Sequence, residues 1–138
     1  MANDALLTAV KSIIAAARAG KLDDAYVGYR DLFQSPAFAT YEPNDQRQAM
    51  RLMVHAKGLP RPPPPAIADA HRAAAVLLAD LVAKYNDPAD YEMLGMCHIV
   101  AGEEDRAAAV FRAGLTLERQ RNAQSDLCGA FMRRISML

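Results

Sequence analysis

Apolar residues recur in this chain at steps of three and four, segment after segment, between glycine and proline stops. That spacing lays one apolar stripe along a helix, whereas a half-buried strand needs a period of two. Leu6, Leu7, Val10, Ile13, Ile14 and Ala17 mark a first helix, about Asp4–Ala19, capped by Asn3 or Asp4 and stopped by Gly20. A second, about Leu22–Gln34, carries Ala25, Tyr29, Leu32 and Phe33 and ends at Ser35-Pro36. Ala37–Pro43 reads as a short connection, and Asn44 as the cap of a third helix, about Asp45–Lys57, with Met50, Met53 and Val54 inward and Gly58 at its end. Leu59–Pro65 holds five of the eight prolines and is expected to be non-helical. Ile67, Ala70, Ala74, Leu77, Leu78 and Leu81 then mark a fourth helix, about Ala66–Tyr85. Asp87-Pro88 supplies a cap followed by a first-turn proline, opening a fifth helix that runs to about Ala101, before Gly102. The sixth, about Glu104–Arg121, carries Ala107, Val110, Phe111, Leu115 and Leu117. The last runs from about Gln124 to the end, with Leu127, Phe131, Ile135 and Leu138 on one face. No segment reads as a strand.

Composition agrees. About a fifth of the chain is alanine, the best helix former and a poor strand former. At 138 residues the chain is long enough for one domain with its own core. Sixteen basic residues balance sixteen acidic ones, which argues against nucleic acid as a partner. Two cysteines make no disulfide framework. The start, Met1-Ala2-Asn3-Asp4, lacks the basic residues of a secretory signal, and the Leu6–Ala17 stretch is too short for a bilayer. The expectation is a cytoplasmic protein that neither binds nor crosses a membrane.

Shifted on itself by 82 residues, the chain places Ala19 on Ala101, Gly20 on Gly102, Asp23 on Asp105, Ala25 on Ala107, Tyr29 on Phe111 and Arg30 on Arg112. This register implies a repeated helix pair. Its spacing resembles the tetratricopeptide repeat, a helix-turn-helix unit of about 34 residues. The fullest match has Tyr91, Leu94 and Gly95 on its first helix, Gly102 at the turn, and Ala107 and Phe111 on its second. His98, Gly114 and Arg119 depart from the pattern. The first repeat matches through Gly20, Ala25 and Tyr29, with Ile13 where a small residue is usual. A middle repeat follows from aligning Gly58 with Gly20 and Gly102, and Ala73 with Ala25. The offset then equals two periods with two insertions, one of them the proline segment.

The resemblance implies an all-α fold, a right-handed α-α superhelix of about three hairpins plus a C-terminal capping helix. The hairpins would span about 4–34, 44–85 and 88–121, and the capping helix about 124–138, in a single domain over residues 1–138. It further implies small residues where paired helices cross, here Gly95 and Ala107. It implies, too, a concave groove lined by the first helices of successive repeats. By position that lining is Leu7, Lys11, Ile14 and Arg18, then Gln48, Leu52 and His55, then Glu92, Met93, Met96, Ile99 and Val100. The last set is rich in methionine, which suits adaptable apolar contacts; the alternative is that these residues pack against the chain's own helices.

Candidates for chemistry are few. His55, His71 and His98 with Cys97 and Cys128 are the soft metal ligands, but their spacing forms no ligand motif, and neighbours Cys97 and His98 point to different sides of a helix. The expectation is no metal, no cofactor and no catalytic residue, with the thiols in the core and the histidines partly exposed. Glu103, Glu104 and Asp105 favour a helix N-terminus. Arg119, Arg121, Arg133 and Arg134 read as a solvated face. Arg61 with Pro62, Pro63, Pro64 and Pro65 suggests a stiff polyproline II segment, either a docking loop for a proline-recognising domain or a spacer.

These readings lead to a non-catalytic interaction module, an adaptor or small chaperone-like protein, holding a partner segment on its repeat surface. Self-association, as a homo-oligomer, is an alternative within the same class. A small metal- or thiol-dependent enzyme or sensor using His55, Cys97 and His98 is the alternative from another class.

Overall fold

A computed structural model describes residues 4–138, so Asn3 lies outside the described residues. Among them the chain forms seven helices and no strand. These are α1 (Asp4–Arg18), α2 (Leu22–Gln34), α3 (Pro43–Val54), α4 (Pro65–Tyr85), α5 (Pro88–Val100), α6 (Glu104–Asn122) and α7 (Asp126–Ser136), with a 3-10 turn at Phe38–Thr40. The helices pack as two compact units, residues 4–77 and 78–138, and α4 contributes to both. No helix among the described residues is long and apolar enough to cross a membrane.

Within unit 78–138, α6 lies close against both α5 and α7. Glycines make this possible. A Cβ at Gly95 would stand 2.6 and 2.7 Å from Cδ1 and Cζ of the Phe111 ring, and one at Gly114 would meet Phe131 and Tyr91 within 2.8 Å. Phe111 and Phe131 are fully buried, with ring centres 6.2 Å apart. Thus Gly114, a departure from the repeat pattern, is the seat for the last helix. Asp87 caps α5 by accepting from the Ala89 N–H at 3.0 Å. Ser125 caps α7 by accepting from the Cys128 N–H at 3.3 Å.

In unit 4–77, α1 pairs with α2 by a related but reversed fit. Here the bulky residue is Ile13 on the first helix, and the space is given by Gly28 on the second, where a Cβ would stand 2.9 Å from Ile13 Cγ1. This accounts for Ile13 at the place where Gly95 sits in the other unit. The stops of α1 and α5 are alike bond for bond. Gly20 and Gly102 both have φ +80, a left-handed conformation that side chains disfavour. The Gly20 and Lys21 N–H groups donate to Ala17 O and Ala16 O, as those of Gly102 and Glu103 donate to Ile99 O and His98 O. The two stops, 82 residues apart in sequence, thus share one backbone turn.

An aromatic chain fills the rest of this unit. Tyr26, Tyr29, Phe33, Phe38 and Tyr41 follow one another with ring centres 5.2–5.7 Å apart. Phe38 and Tyr41 come from the segment read as a plain connection; Phe38 is in fact fully buried. Gln46 of α3 holds that segment in place, its Nε2 donating to Tyr41 O at 2.9 Å and Ala39 O at 3.3 Å.

Several boundaries differ from expectation. α3 begins at Pro43, with Asn44 inside the helix rather than capping it, and ends at Val54, short of Lys57. α4 includes Pro65, because proline at a helix start loses no hydrogen bond. α7 begins after Ser125 and stops at Ser136, leaving Leu138 outside. The expected middle hairpin, 44–85, also changes: α3 and α4 do not form a close backbone pair as α1–α2, α5–α6 and α6–α7 do. Ten residues, 55–64, separate them, where three separate α1 from α2.

Candidate functional site

The first helices of the first two expected repeats, α1 and α3, frame a groove in unit 4–77. Leu6, Val10 and Ile13 turn into the core, while Leu7 on the same helix stays 45% exposed and Ile14 is half-buried. On α3, Ala49, Met50 and Met53 are buried, and Leu52 stays 50% exposed. One hollow of about 160 Å³ gathers Leu6, Leu7 and Val10 against Asp45, Gln48, Ala49 and Leu52. A second, about 340 Å³, gathers Ile14, Ala17 and Arg18 with Tyr26, Tyr29, Leu52 and the non-helical residues Lys57, Gly58 and Leu59. Leu52 belongs to both. Of the sequence-predicted lining, the structure thus brings Leu7, Gln48 and Leu52 together in the first hollow, and Ile14, Arg18 and Leu52 in the second. Neither includes Lys11 or the exposed His55.

The third-repeat set is placed differently. Met93 is 1% exposed, so it is a core residue that no partner reaches. Met96 and Ile99 are partly buried against the cluster of Ala107, Phe111, Leu115, Cys128 and Phe131. Glu92 accepts from Arg134 Nε at 2.9 Å, tying α5 to α7. Val100 is half-buried. In these residues the chain's own α6 and α7 take up much of the contact expected of a partner. Arg134 is accordingly not part of a freely solvated arginine face.

The proline segment bends at residues 61 and 62, so the run is not one continuous extension. Arg61, Pro62 and Pro65 are exposed, Pro63 and Pro64 half-buried, and the Pro64 carbonyl accepts from the Ile67 and Ala68 N–H groups. Part of the segment therefore serves to start α4.

The chain matches no family model, no curated protein and no solved structure.

Both thiols are buried. Burial pushes the Cys97 thiol up to about 12, so it stays protonated at neutral pH and is a poor nucleophile. His98 Nδ1 lies 3.3 Å from Glu103 Oε1. Among the described residues, no group of three or more His, Cys, Asp or Glu side chains is arranged to hold a metal ion.

His71 corrects the expectation of partly exposed histidines: it is 1% exposed. Its ring stacks on Tyr26 at 6.1 Å, and Nδ1 lies 2.7 Å from Ile67 O. A carbonyl only accepts, so Nδ1 carries the proton, and Nε2 is left buried without a partner among the described residues. Burial lowers the His71 pKa, outweighing the bond to Ile67, which raises it. Tyr26 remains neutral, its pKa pushed up to about 12 chiefly by burial. Below the ordinary histidine pKa of about 6.5 the unfolded chain takes up a proton that the folded one resists, so stability falls as pH falls. Chemical denaturation of unit 4–77 between pH 7.5 and 5 is expected to lose up to about 1.4 kcal/mol per pH unit below pH 6.5. His71→Gln should flatten that dependence; an unchanged slope would show that other groups cause it.

Proposed function

We propose that this chain is a non-catalytic protein-binding module, an adaptor or small chaperone-like protein of the cytoplasm, and that it holds a segment of a partner in the α1–α3 groove. The observation that carries this reading is the pair of half-exposed leucines, Leu7 and Leu52, facing one concave, largely apolar hollow. Scattered surface leucines need no explanation, but two that meet in a groove mark a surface fit for a partner. We read the fold as a right-handed, tetratricopeptide-like superhelix in a single domain. The matching Gly20 and Gly102 stops support this reading, and so does the docking of α7 over the last pair through Phe131. Because the groove is built on helices, a partner segment would bind with little ordering of the host.

Capture of partners from a lysate of the source organism tests the proposal. Leu52→Asp, at a half-exposed position, should leave the melting temperature nearly unchanged and reduce capture about tenfold or more, by placing a charge against the partner's apolar residue. Equal capture by wild type and Leu52→Asp would remove the groove as the site.

A second reading has its own observation. Met132, Met137 and Leu138 are exposed at the end of the chain, Met137 at 82%. They favour self-association through this region, in which case light scattering would give a mass above 15.0 kDa and Met132→Glu would restore the monomer.

A further inference from the structure

The larger hollow of the groove has a charge character that the apolar contacts do not explain. Ile14, Tyr26 and Leu52 are among its apolar lining, and its only charged lining residues are Arg18 and Lys57. Both are exposed, and among the described residues neither has an ion pair or side-chain hydrogen bond. Arg18 closes α1, and Lys57 lies three residues past the end of α3. A bland role offers itself: cations offset the negative ends of helix dipoles. Each helix end carries only about half a charge, however, and two full charges more than cancel two such ends. The Ala16 and Ala17 carbonyls of α1 are moreover already bonded by the turn at Gly20. The hollow is left positive. Asp23 and Asp24 follow closely in sequence but do not line it. The smaller hollow carries the opposite sign, with Asp45 as its one charged residue. The groove is thus polar along its length, positive toward Arg18 and Lys57 and negative toward Asp45, with Leu52 shared between.

Resting on the reading of the groove as a protein-binding site, we propose that its occupant is an acidic-apolar segment of a partner protein, with an aspartate or glutamate between Arg18 and Lys57 and a neighbouring large apolar residue against Leu52 and Tyr26. Charge-assisted bonds to two cations beside an apolar lining favour a carboxylate there over a neutral or basic residue. The cations also set the direction in which the segment lies.

Selection of random displayed peptides on the purified full chain tests this. The expected result is enrichment of peptides with Asp or Glu beside a large apolar residue. Affinity for the strongest peptide, made synthetically, should fall about tenfold or more in the Arg18→Glu/Lys57→Glu variant. Arg18→Gln and Lys57→Gln should each fall less, with melting temperatures preserved because both side chains are exposed. Enriched peptides without an acidic preference, or an affinity untouched by charge reversal, would overturn the charge proposal while leaving the groove as a binding site. Failure to enrich any peptide would count against the groove reading itself, and this proposal with it.

Discussion

Phe111→Ala is expected to cost unit 78–138 about 3–5 kcal/mol of stability, the usual loss for a fully buried phenylalanine. Phe111 stands where three helices meet: its ring lies over Gly95 of α5, beside Phe131 of α7, and in one cluster with Ala107 and Leu115 of its own helix. The rigid glycine contact below it limits collapse into the space left, which places the loss toward the upper part of that range. Denaturant titration followed by helical circular dichroism measures it. A loss below about 1 kcal/mol would mean that the ring is not the central contact of this unit.

Gly95→Ala should be destabilising although alanine is the better helix former. Propensity favours the change by about 1 kcal/mol. Against this, the added Cβ would lie within 2.7 Å of a ring that is fully buried and has no open side to move toward. Overpacking of this kind costs about 1–3 kcal/mol, so the clash prevails and the net effect is a loss. The cause can be isolated by pairing changes. Phe111→Leu withdraws the ring, and in that background Gly95→Ala should become neutral or stabilising. Additive losses in the double variant would place the clash elsewhere.

How much of this was legible in the sequence follows from the kind of signal each residue gives. α2 spans the residues that its sequence signals predict, because Gly20 and Ser35-Pro36 bracket it. Pro43 and Pro65 misled, since a proline marks a break from one side and a helix start from the other, and both open helices here. The crossing at Gly95 was legible from the repeat register. The reversed fit at Ile13 was not, because its complement, Gly28, lies on another helix and outside the aligned positions. Leu7 and Ile14 share one apolar face of α1 with Leu6, Val10 and Ile13, and sequence alone does not divide such a face into buried and open halves. α5 gave less still. Apolar on almost every side, it has no period to show that Met93 points inward while Met96 and Ile99 meet α6 and α7. His71 carried no sign of burial except its place among alanines on α4.

The central claim is that a partner lies along α1 and α3. Hydrogen exchange of the full chain, with and without the strongest selected peptide, tests it most directly. New protection is expected in α1 and over residues 45–59, with α7 unchanged. Protection confined to residues 126–138, or to Arg61–Pro65, would contradict it.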